Sequence, residues 1–248
     1  MKASAYIITL NEEKHIFRAL VSLKEFDEVI VVDSGSTDKT IEICNSFNNC
    51  KVISHKWESF SKQKQFALEQ CKNDWAFNLD ADEEASKEII REIQKCISSQ
   101  LYIAAEFPRR EYFLGEITHP FVKNNRYIRL VKKDSAKYNE KLVHESLQVN
   151  GRVMKSSAEF YHFGEQSLTI KIEKINKYAN LRAQEKKLQG KSSSVLRMIV
   201  APLLAFVKNY IFKRNFFMGK RGLIGSIIVA FYSFLKEANL YELDRKKN

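Results

Sequence analysis

Short apolar runs alternate with segments of helical periodicity through the first hundred residues. The runs predict β-strands at residues 3–10, 28–33, 50–54 and 75–79. Helices are predicted to follow at 36–47, 60–72 and 86–97. The segment after the first strand is also expected to be helical, with Asn11 as its N-cap and Glu12 and Glu13 in its first turn, where carboxylates suit the helix dipole. This alternation predicts the α/β class, with a mostly parallel sheet flanked by helices.

The pattern changes after residue 100. Runs at 101–107, 126–133 and 146–153 predict further strands, partly antiparallel. A long amphipathic helix is predicted at 168–189. It ends at "QGKSSS" (189–194), a segment with the composition of a linker. We therefore expect a catalytic domain at 1–190 and a helical, basic C-terminal region at 191–248.

The C-terminal region combines positive charge with large apolar residues. Of the net charge of +11, residues 191–248 supply +8, from 11 Lys and Arg against 3 Asp and Glu. The apolar runs "VLRMIVAPLLAFVKNYIF" and "GLIGSIIVAFYSFL" argue against nucleic acid, because no aromatic residues are interleaved with basic ones as a stacking platform requires. The first run is interrupted by Arg197, Pro202 and Lys208, and the second is shorter than the about 20 residues of a spanning helix. We expect amphipathic helices on an anionic membrane surface; a buried helical pair that closes the domain is the alternative.

The cysteines and the N-terminal segment bear on the compartment. The four cysteines form no CxxC pair and have no histidine at ligand spacing, which is typical of thiols in a reducing compartment. The apolar run near the N-terminus is too short for a signal peptide. We expect a cytoplasmic protein that is peripheral at the inner face of the cytoplasmic membrane.

Carboxylates are concentrated after the fourth predicted strand, in "WAFNLDADEE". Asp80 and Asp82 are two residues apart, so in extended backbone both would point the same way and could share one hard cation. A divalent metal would also relieve the repulsion among neighbouring acids. Alternatively, these acids favour the start of the helix at 86–97.

A second polar cluster follows the second predicted strand, in "VVDSGSTDKT". Asp33 ends the strand, and Ser34 and Gly35 begin a turn of small residues that would let a ligand approach the backbone. An ordinary strand-to-helix turn has the same composition. Ligands of parallel sheets bind beyond the carboxyl ends of the strands, so the two clusters are expected to line one crevice. Neither GxGxxG nor GxxxxGK[ST] occurs, which excludes the dinucleotide and P-loop patterns.

An ordered set of segments resembles family 2 glycosyltransferases: "IITLNEE", "VIVVDSGSTDKT", "KQKQFALEQCKNDWAFNLDADEE", "YIRLVKK", "VHESL" and "YHFGEQSL". It is most similar to the branch that adds a hexose, often β-glucose, to the inner core of lipopolysaccharide or lipooligosaccharide. The resemblance covers nearly the whole chain. It implies a GT-A fold, a UDP-sugar donor (UDP-glucose above all), a Mg²⁺ or Mn²⁺ ion, and inversion at the anomeric carbon.

The resemblance also implies a donor site. Thr9, Asn11 and Glu12 match its first-strand segment, and Asp33 matches the carboxylate that contacts the uracil or the ribose. Ser34 belongs to the same turn and is included in the donor site.

The remaining matched positions concern the diphosphate, the metal and the base. Lys64 matches a basic residue near the base and diphosphate, and Asp80 and Asp82 match the metal motif, with Asp82 as the direct ligand. His162 matches a position that completes the metal shell in some relatives, although a histidine beside aromatic residues is more often structural. Glu145 matches the region of the catalytic base, which takes the proton from the attacking hydroxyl.

The alternatives concern the role of Glu145 and the function. His144 and Glu145 could instead pair with Arg126 or Arg129 in a surface ladder. The leading hypothesis is hexosyl transfer from a UDP-sugar to a lipid-linked saccharide, the heptose inner core of lipopolysaccharide or lipooligosaccharide. The same fold could act on a protein, a flagellar or capsular glycan, or a polyprenyl-linked acceptor. A non-catalytic membrane-surface binding protein is the hypothesis from another functional class.

Overall fold

The computed structural model describes residues 1–139, 146–164 and 167–245. Contacts divide the chain into two compact units. The first comprises Met1–Glu111 and Asn125–Gly164, and the second comprises Tyr112–Asn124 and Glu165–Asn248. The domain boundary predicted at residues 190 and 191 stays a prediction.

A parallel sheet forms the first half of the first unit. Its strands are β1 (Ser4–Thr9), β2 (Glu28–Asp33), β3 (Cys50–Ser54) and β4 (Trp75–Asn78), in the order β3-β2-β1-β4. They alternate with the helices α1 (Ile16–Ser22), α2 (Thr40–Asn45) and α3 (Phe60–Gln70). Thr9 on β1 is in register with Asp33 on β2, so the polar turns that follow these two strands begin side by side. The four predicted strands and the α/β class are thus confirmed.

Both faces of this sheet are covered, as expected for strands with continuous apolar sequences. On one face, Ile7 and Val31 pack in the same core cluster as Leu20 of α1. On the other face, Tyr6 and Ile30 share a core cluster with residues of α3. Because successive strand residues point to opposite faces, adjacent residues of β1 anchor helices on both sides. The carboxyl edge of the sheet is thereby held between two packed layers.

The expected helix start at Asn11 is wrong. Helix α1 begins at Ile16, and Asn11 has a left-handed backbone with φ of 56°. The Asn11 side chain accepts a hydrogen bond from the Thr37 backbone N–H at 2.8 Å instead of capping its own helix. Asn can bond either to a neighbouring helix terminus or to a turn, and here the turn after β2 is the partner.

An antiparallel half extends the sheet. The next elements are β5 (Glu83–Ala85), α4 (Lys87–Ser99), β6 (Ala104–Phe113), β7 (Glu116–Ile117), β8 (Arg126–Lys132), β9 (Ala136–Tyr138), β10 (Leu147–Val149), β11 (Val153–Lys155) and β12 (Phe160–His162). The strand order continues from β4 as β8-β6-β12-β5. Strand β12 lies between β5 and β6, so that His162 is in register with Glu83 on one side and Glu111 on the other. The predicted change to partly antiparallel pairing is confirmed.

The second unit contains three long helices, α5 (Leu168–Leu188), α6 (Val195–Val207) and α7 (Lys220–Arg245). Both α5 and α6 pack against α7. A π-helical turn (Lys208–Phe212) and a 3-10 turn (Asn215–Met218) connect α6 to α7. The predicted long helix at 168–189 is confirmed. None of the residues of α6, all of them described, is buried, so the alternative of a buried helical pair does not hold for this helix.

Candidate functional site

Two loops meet at the carboxyl ends of β1 and β2. The buried carboxylate of Asp33 accepts hydrogen bonds from the backbone N–H groups of Gly35 at 2.8 Å and Ser36 at 2.9 Å. It also accepts one from the Ser36 hydroxyl at 2.5 Å. Gly35 has φ of 103°, a conformation that favours glycine. Asp33 therefore shapes the turn in which it lies, at the position predicted for the nucleoside.

The loop after β1 is fastened to the same turn. The Asn11 N–H donates to the Ser36 hydroxyl at 2.9 Å, and the Glu12 N–H donates to the Thr40 hydroxyl at 2.8 Å. Thr9 is buried, and its hydroxyl has no hydrogen-bond partner among the described residues. A buried hydroxyl without a partner is unusual, and a bound ligand would satisfy it. The structure thus brings the predicted donor-site residues of β1 and β2 together.

Helix α3 contributes a residue that the sequence analysis missed. Gln63 is fully buried, and its side-chain amide donates to the Ser34 hydroxyl at 3.0 Å. Its carbonyl oxygen lies 2.9 Å from His55 Nδ1. Gln63 thereby fixes the first residue of the turn after β2. Its one sequence signal is its place in "KQKQ", directly before Lys64.

The backbone after β4 forms a turn, in contrast to the extended segment assumed from the sequence. The Glu83 N–H donates to the Asp80 carbonyl oxygen at 3.0 Å. In this turn Asp80 and Asp82 have different partners. The expectation that both would point the same way is therefore wrong.

Asp80 lies between two cations. Its carboxylate is 2.7 Å from Lys64 Nζ and 3.3 Å from Arg129 Nη2. Burial alone would raise the pKa of Asp80, but the charges of Lys64 and Arg129 outweigh this effect and lower the pKa below its usual range. Asp80 is therefore held as a carboxylate, and Lys64 is engaged with it.

Arg129 is the centre of the buried network. It is 4% exposed and donates to the Asn78 side-chain oxygen and to Glu83 Oε1, both at 2.6 Å. Glu83 is 1% exposed, and Arg109 Nη1 is its second cationic neighbour at 3.6 Å. Burial raises the pKa of Glu83 in spite of these cations. Since Arg129 and Glu83 come from the antiparallel half, sequence spacing gave no sign of this pairing.

Asp82 contacts His162, as the resemblance implied for two residues of one site. Asp82 Oδ2 lies 3.0 Å from His162 Nε2, and Glu111 Oε2 lies 2.5 Å from His162 Nδ1. Burial alone would lower the pKa of His162, but hydrogen bonds to the two carboxylates raise it to about 10. Glu111, whose other oxygen is 2.7 Å from Arg109, was not predicted as a site residue. It fixes the orientation of the imidazole.

The Asp82–His162 pair fits a divalent metal ion. A carboxylate oxygen and an imidazole nitrogen are both ligand types for such an ion, and Asp82 Oδ2 and His162 Nε2 are 3.0 Å apart, at hydrogen-bond distance. The described part of the chain contains no group of three or more His, Cys, Asp or Glu side chains arranged to hold a metal. Mg²⁺ and Mn²⁺ commonly take one or two protein ligands together with substrate phosphates and water. Asp80 does not fit, because Lys64 and Arg129 occupy its oxygens.

The predicted catalytic base cannot be placed. Glu145 and its neighbour His144 lie outside the described residues. The arginines suggested as their alternative partners have others: Arg126 Nε is 2.9 Å from Glu106, and Arg129 is buried in the network described above.

The chain is similar to known proteins in sequence and in fold. The family described as Glycosyl transferase family 2 matches residues 4–144. The lipopolysaccharide core biosynthesis glycosyltransferase LpsC of Rhizobium meliloti (strain 1021) is 32% identical over 96% of this chain and 92% of its own length. Among solved structures, the mannosyltransferase PcManGT from Pyrobaculum calidifontis in complex with GDP-Man and Mn²⁺ aligns with a TM-score of 0.60 at 11% identity, over 97% of this chain and 87% of that one. S. aureus TarS 1-349 in complex with UDP-GlcNAc aligns with a TM-score of 0.51 at 16% identity, over 100% and 93% of the two chains. The GT-A fold expected from the sequence is confirmed, and the chain belongs to glycosyltransferase family 2.

Proposed function

We propose that the protein transfers a hexose, with glucose as the first candidate, from a UDP-sugar to the lipid-linked inner core of lipopolysaccharide or lipooligosaccharide, with inversion at the anomeric carbon. The relative LpsC, a lipopolysaccharide core glycosyltransferase by name, supports the class of acceptor. The TarS complex with UDP-GlcNAc supports a UDP-sugar as donor.

The contact between Asp82 and His162 carries this proposal. Asp82 lies in the turn after β4, two residues beyond Asp80, and the turn with Asp33 follows β2 at the same edge of the parallel sheet. In such sheets ligands bind beyond the carboxyl ends of the strands. A nucleotide that extends from Asp33 to Asp82 would place its diphosphate beside these two ligand atoms.

Asp82 and His162 would hold Mg²⁺ or Mn²⁺, the latter being present in the complex of the mannosyltransferase PcManGT. When bound, such an ion offsets the negative charge that develops on the departing diphosphate. Glu111 holds His162 through Nδ1, so that Nε2 is directed toward Asp82. A histidine ligand oriented by a carboxylate is a common arrangement in metal sites.

The nucleoside is assigned to the loops after β1 and β2. Thr9 offers its unsatisfied hydroxyl, and the turn held by Asp33 and Ser34 offers backbone that a flat ring can approach closely. Asn11 and Glu12 hold the neighbouring loop in place through their backbone and side-chain bonds.

The contact between Asp80 and Lys64, both predicted as donor-site residues, supports a role for them in shaping that site. They form an ion pair that fixes the turn between β4 and β5, and thereby the position of Asp82. We assign them to the donor site as residues that set its shape and electrostatic potential.

Glu145 remains our proposal for the base. A carboxylate on the side of the anomeric carbon opposite the diphosphate can take the proton from the acceptor hydroxyl as that hydroxyl attacks. Replacement by Gln should abolish transfer and leave UDP-sugar binding unchanged. Loss of binding in Glu145→Gln would instead assign Glu145 a structural role.

The acceptor is lipid-linked, so we place the enzyme at the inner face of the cytoplasmic membrane. Two helical segments, Val195–Phe212 and Lys220–Arg245, are long and apolar enough to associate with a membrane. The anionic membrane surface is then the second partner, beside the donor and the acceptor.

A donor screen tests the proposal. Release of UDP is measured for a panel of UDP-hexoses with purified inner-core saccharide, in Mn²⁺, in Mg²⁺ and in EDTA. We expect turnover with one hexose, loss of turnover in EDTA, and loss in Asp82→Asn. Asp134→Asn, at an exposed carboxylate outside the site, is the matched control and should retain full activity. Full activity of Asp82→Asn would refute the metal assignment, and absence of turnover with every donor would refute the proposed reaction.

A further inference from the structure

Helix α6 presents a continuous apolar face that the described part of the chain does not cover. Its exposed large residues recur at intervals of three and four, which places them on one side of the helix: Leu196, Ile199, Val200, Leu203, Leu204 and Val207. Leu196 and Leu204 are 69% and 64% exposed. Such a face is far more apolar than the surface of a soluble domain usually is.

The neighbouring helix continues this face. A cleft of about 370 Å³ runs between α6 and α7, and all its lining side chains are apolar, among them Pro202, Leu203, Phe231 and Phe234. Ile227, which also lines the cleft, and Leu223, nearer the start of α7, are exposed as well. We call α6, α7 and the turns that connect them (195–245) the helical hairpin.

Charged residues limit the length of each apolar segment. Helix α6 is free of charges at 198–207, and α7 is free of charges at 222–235. At 1.5 Å per residue these segments measure about 15 Å and about 21 Å. The hydrocarbon core of a bilayer is about 30 Å thick. Although the whole helices are long enough to span a membrane, their uncharged parts are too short.

Both ends of the hairpin carry charges that require water. At one end, Glu237 pairs with Lys186 and, at 3.3 Å, with Arg197. Asp244 pairs with Lys187 at the same end. At the other end, the connection and the first turn of α7 contain Lys208, Lys213, Arg214, Lys220 and Arg221. Passing five cations through the hydrocarbon layer would be very costly.

The signs of the charges identify the surface that covers the hairpin. No Asp or Glu occurs between Lys186 and Lys236, so every charged residue in the connection and beside the two apolar segments up to Lys236 is positive. Each Lys or Arg near an anionic bilayer strengthens binding. Phe216 and Phe217, both exposed, lie among these cations, as aromatic residues do at the level of lipid headgroups.

We propose that the helical hairpin lies in the plane of a single leaflet of an anionic phospholipid bilayer and does not cross it. The α6 face and the cleft lie among the acyl chains, and the cations of the connection between α6 and α7 contact the phosphates of that leaflet. This inference rests on the membrane location given with the proposed function, and it names the lipid chemistry and the mode of insertion.

Vesicle flotation tests the surface. Purified full-length protein is mixed with vesicles of phosphatidylcholine alone or with 30% (about one lipid in three) phosphatidylglycerol. We expect binding that depends on phosphatidylglycerol and is weakened by salt, and at least about tenfold weaker partitioning of Leu196→Gln/Leu204→Gln. The matched control is Leu101→Gln/Leu188→Gln, at leucines that are 61% and 83% exposed outside the hairpin, and it should float like the parent protein. Equal loss in both variants would overturn the assignment of the face.

Cysteine accessibility tests the mode of insertion. Lys220→Cys lies at the start of α7, directly after the connection, and Ser192→Cys lies before α6; both positions are exposed. A membrane-impermeant maleimide added to vesicle-bound protein should label both at rates within about threefold. Protection of Lys220→Cys until detergent is added would show that the connection has crossed the bilayer, and this would overturn the in-plane arrangement. The parent protein, whose cysteines are buried except for the half-buried Cys50, gives the background.

The outcomes separate this inference from the proposed function. Absence of flotation with every lipid, in a protein that still releases UDP from its donor, overturns the inference and leaves the reaction intact. Flotation as described, with no turnover of any UDP-hexose, supports the inference and refutes the reaction.

Discussion

Replacing Arg129 by Met tests whether the buried charge network stabilises the fold. The change removes both 2.6 Å hydrogen bonds of Arg129, to Asn78 and to Glu83. Glu83, which is 1% exposed, then retains Arg109 at 3.6 Å and the protonated His162 as cationic neighbours. Removing one partner of a buried ion pair costs about 3–5 kcal/mol, because the other charge is left buried. We therefore expect the free energy of unfolding to fall by about 3–5 kcal/mol at pH 8.

The loss should depend on pH. Burial already raises the pKa of Glu83, and loss of Arg129 removes the largest opposing effect. A carboxyl group whose pKa is higher in the folded than in the unfolded chain takes up a proton on folding. The charged carboxylate therefore lowers the free energy of unfolding by its full amount above the folded pKa, and this loss is relieved as the pH falls through that pKa. The difference between Arg129→Met and the parent protein should therefore shrink between pH 8 and pH 5.

Urea unfolding, followed by circular dichroism at both pH values, measures the effect. The double variant Glu83→Gln/Arg129→Met replaces the ion pair by neutral groups and should recover most of the lost stability, because it leaves no unpaired buried charge. Arg91→Met, at an exposed position of α4, is the matched control and should change stability by less than about 0.5 kcal/mol. A loss below about 1 kcal/mol in Arg129→Met, or no recovery in the double variant, would refute the reasoning.

Three further predictions concern single residues. Glu111→Gln should weaken Mn²⁺ binding by about 10- to 100-fold without unfolding the protein, because the orientation of His162 depends on this carboxylate. Electron paramagnetic resonance measures the Mn²⁺ affinity, and an unchanged affinity would show that Glu111 does not support the metal site. In the metal-free protein, burial alone would lower the pKa of His162, but its two carboxylate partners raise it to about 10. The protonated imidazole therefore stabilises the fold fully below about pH 6.5, and this contribution is lost as the pH rises toward 10. The melting temperature should fall over this pH window, and His162→Gln should not show this fall. Gly35→Ala, at φ of 103°, should destabilise the protein by about 1 kcal/mol in urea unfolding, and no loss would show that the turn can change its backbone conformation.

The parallel half of the fold was readable from the sequence for a physical reason. Strands buried on both faces need continuous apolar runs, and the run at 28–33 is a strand with the predicted bounds. The strand at 50–54 also has its predicted bounds, although it lies at the edge of the sheet and is only partly buried. Ligands of parallel sheets bind at the carboxyl edge, and this rule predicted Asp33 and the acids after β4 as candidate site residues without knowledge of their contacts. Local pattern was sufficient because each strand and its following turn are contiguous in sequence.

The partners of these residues could not be read in the same way. Glu111 and His162 are 51 residues apart, and Arg129 is 46 residues from Glu83. Their pairing depends on the order of β8, β6, β12 and β5 in the sheet, which involves crossovers that periodicity does not reveal. Asn11 was misassigned for a related reason, since its side-chain partner Thr37 lies in another loop.

The four acids at 80–84 are tolerated together because each lies beside at least one basic side chain. Asp80 is bound by Lys64 and Arg129, Glu83 by Arg129, and Glu84 by Arg18 at 3.9 Å.

Lys and Arg keep their charge over the physiological pH range, so a metal ion that competed for Asp80 or Glu83 would leave a buried cation without a counter-ion. The partner of Asp82 is a histidine, which can lose a proton and bind a metal through the freed nitrogen. Asp82 is thus the carboxylate of this turn whose basic partner can itself become a metal ligand. This difference in partner chemistry, which the spacing of Asp80 and Asp82 does not reveal, is the physical reason to assign the metal to Asp82.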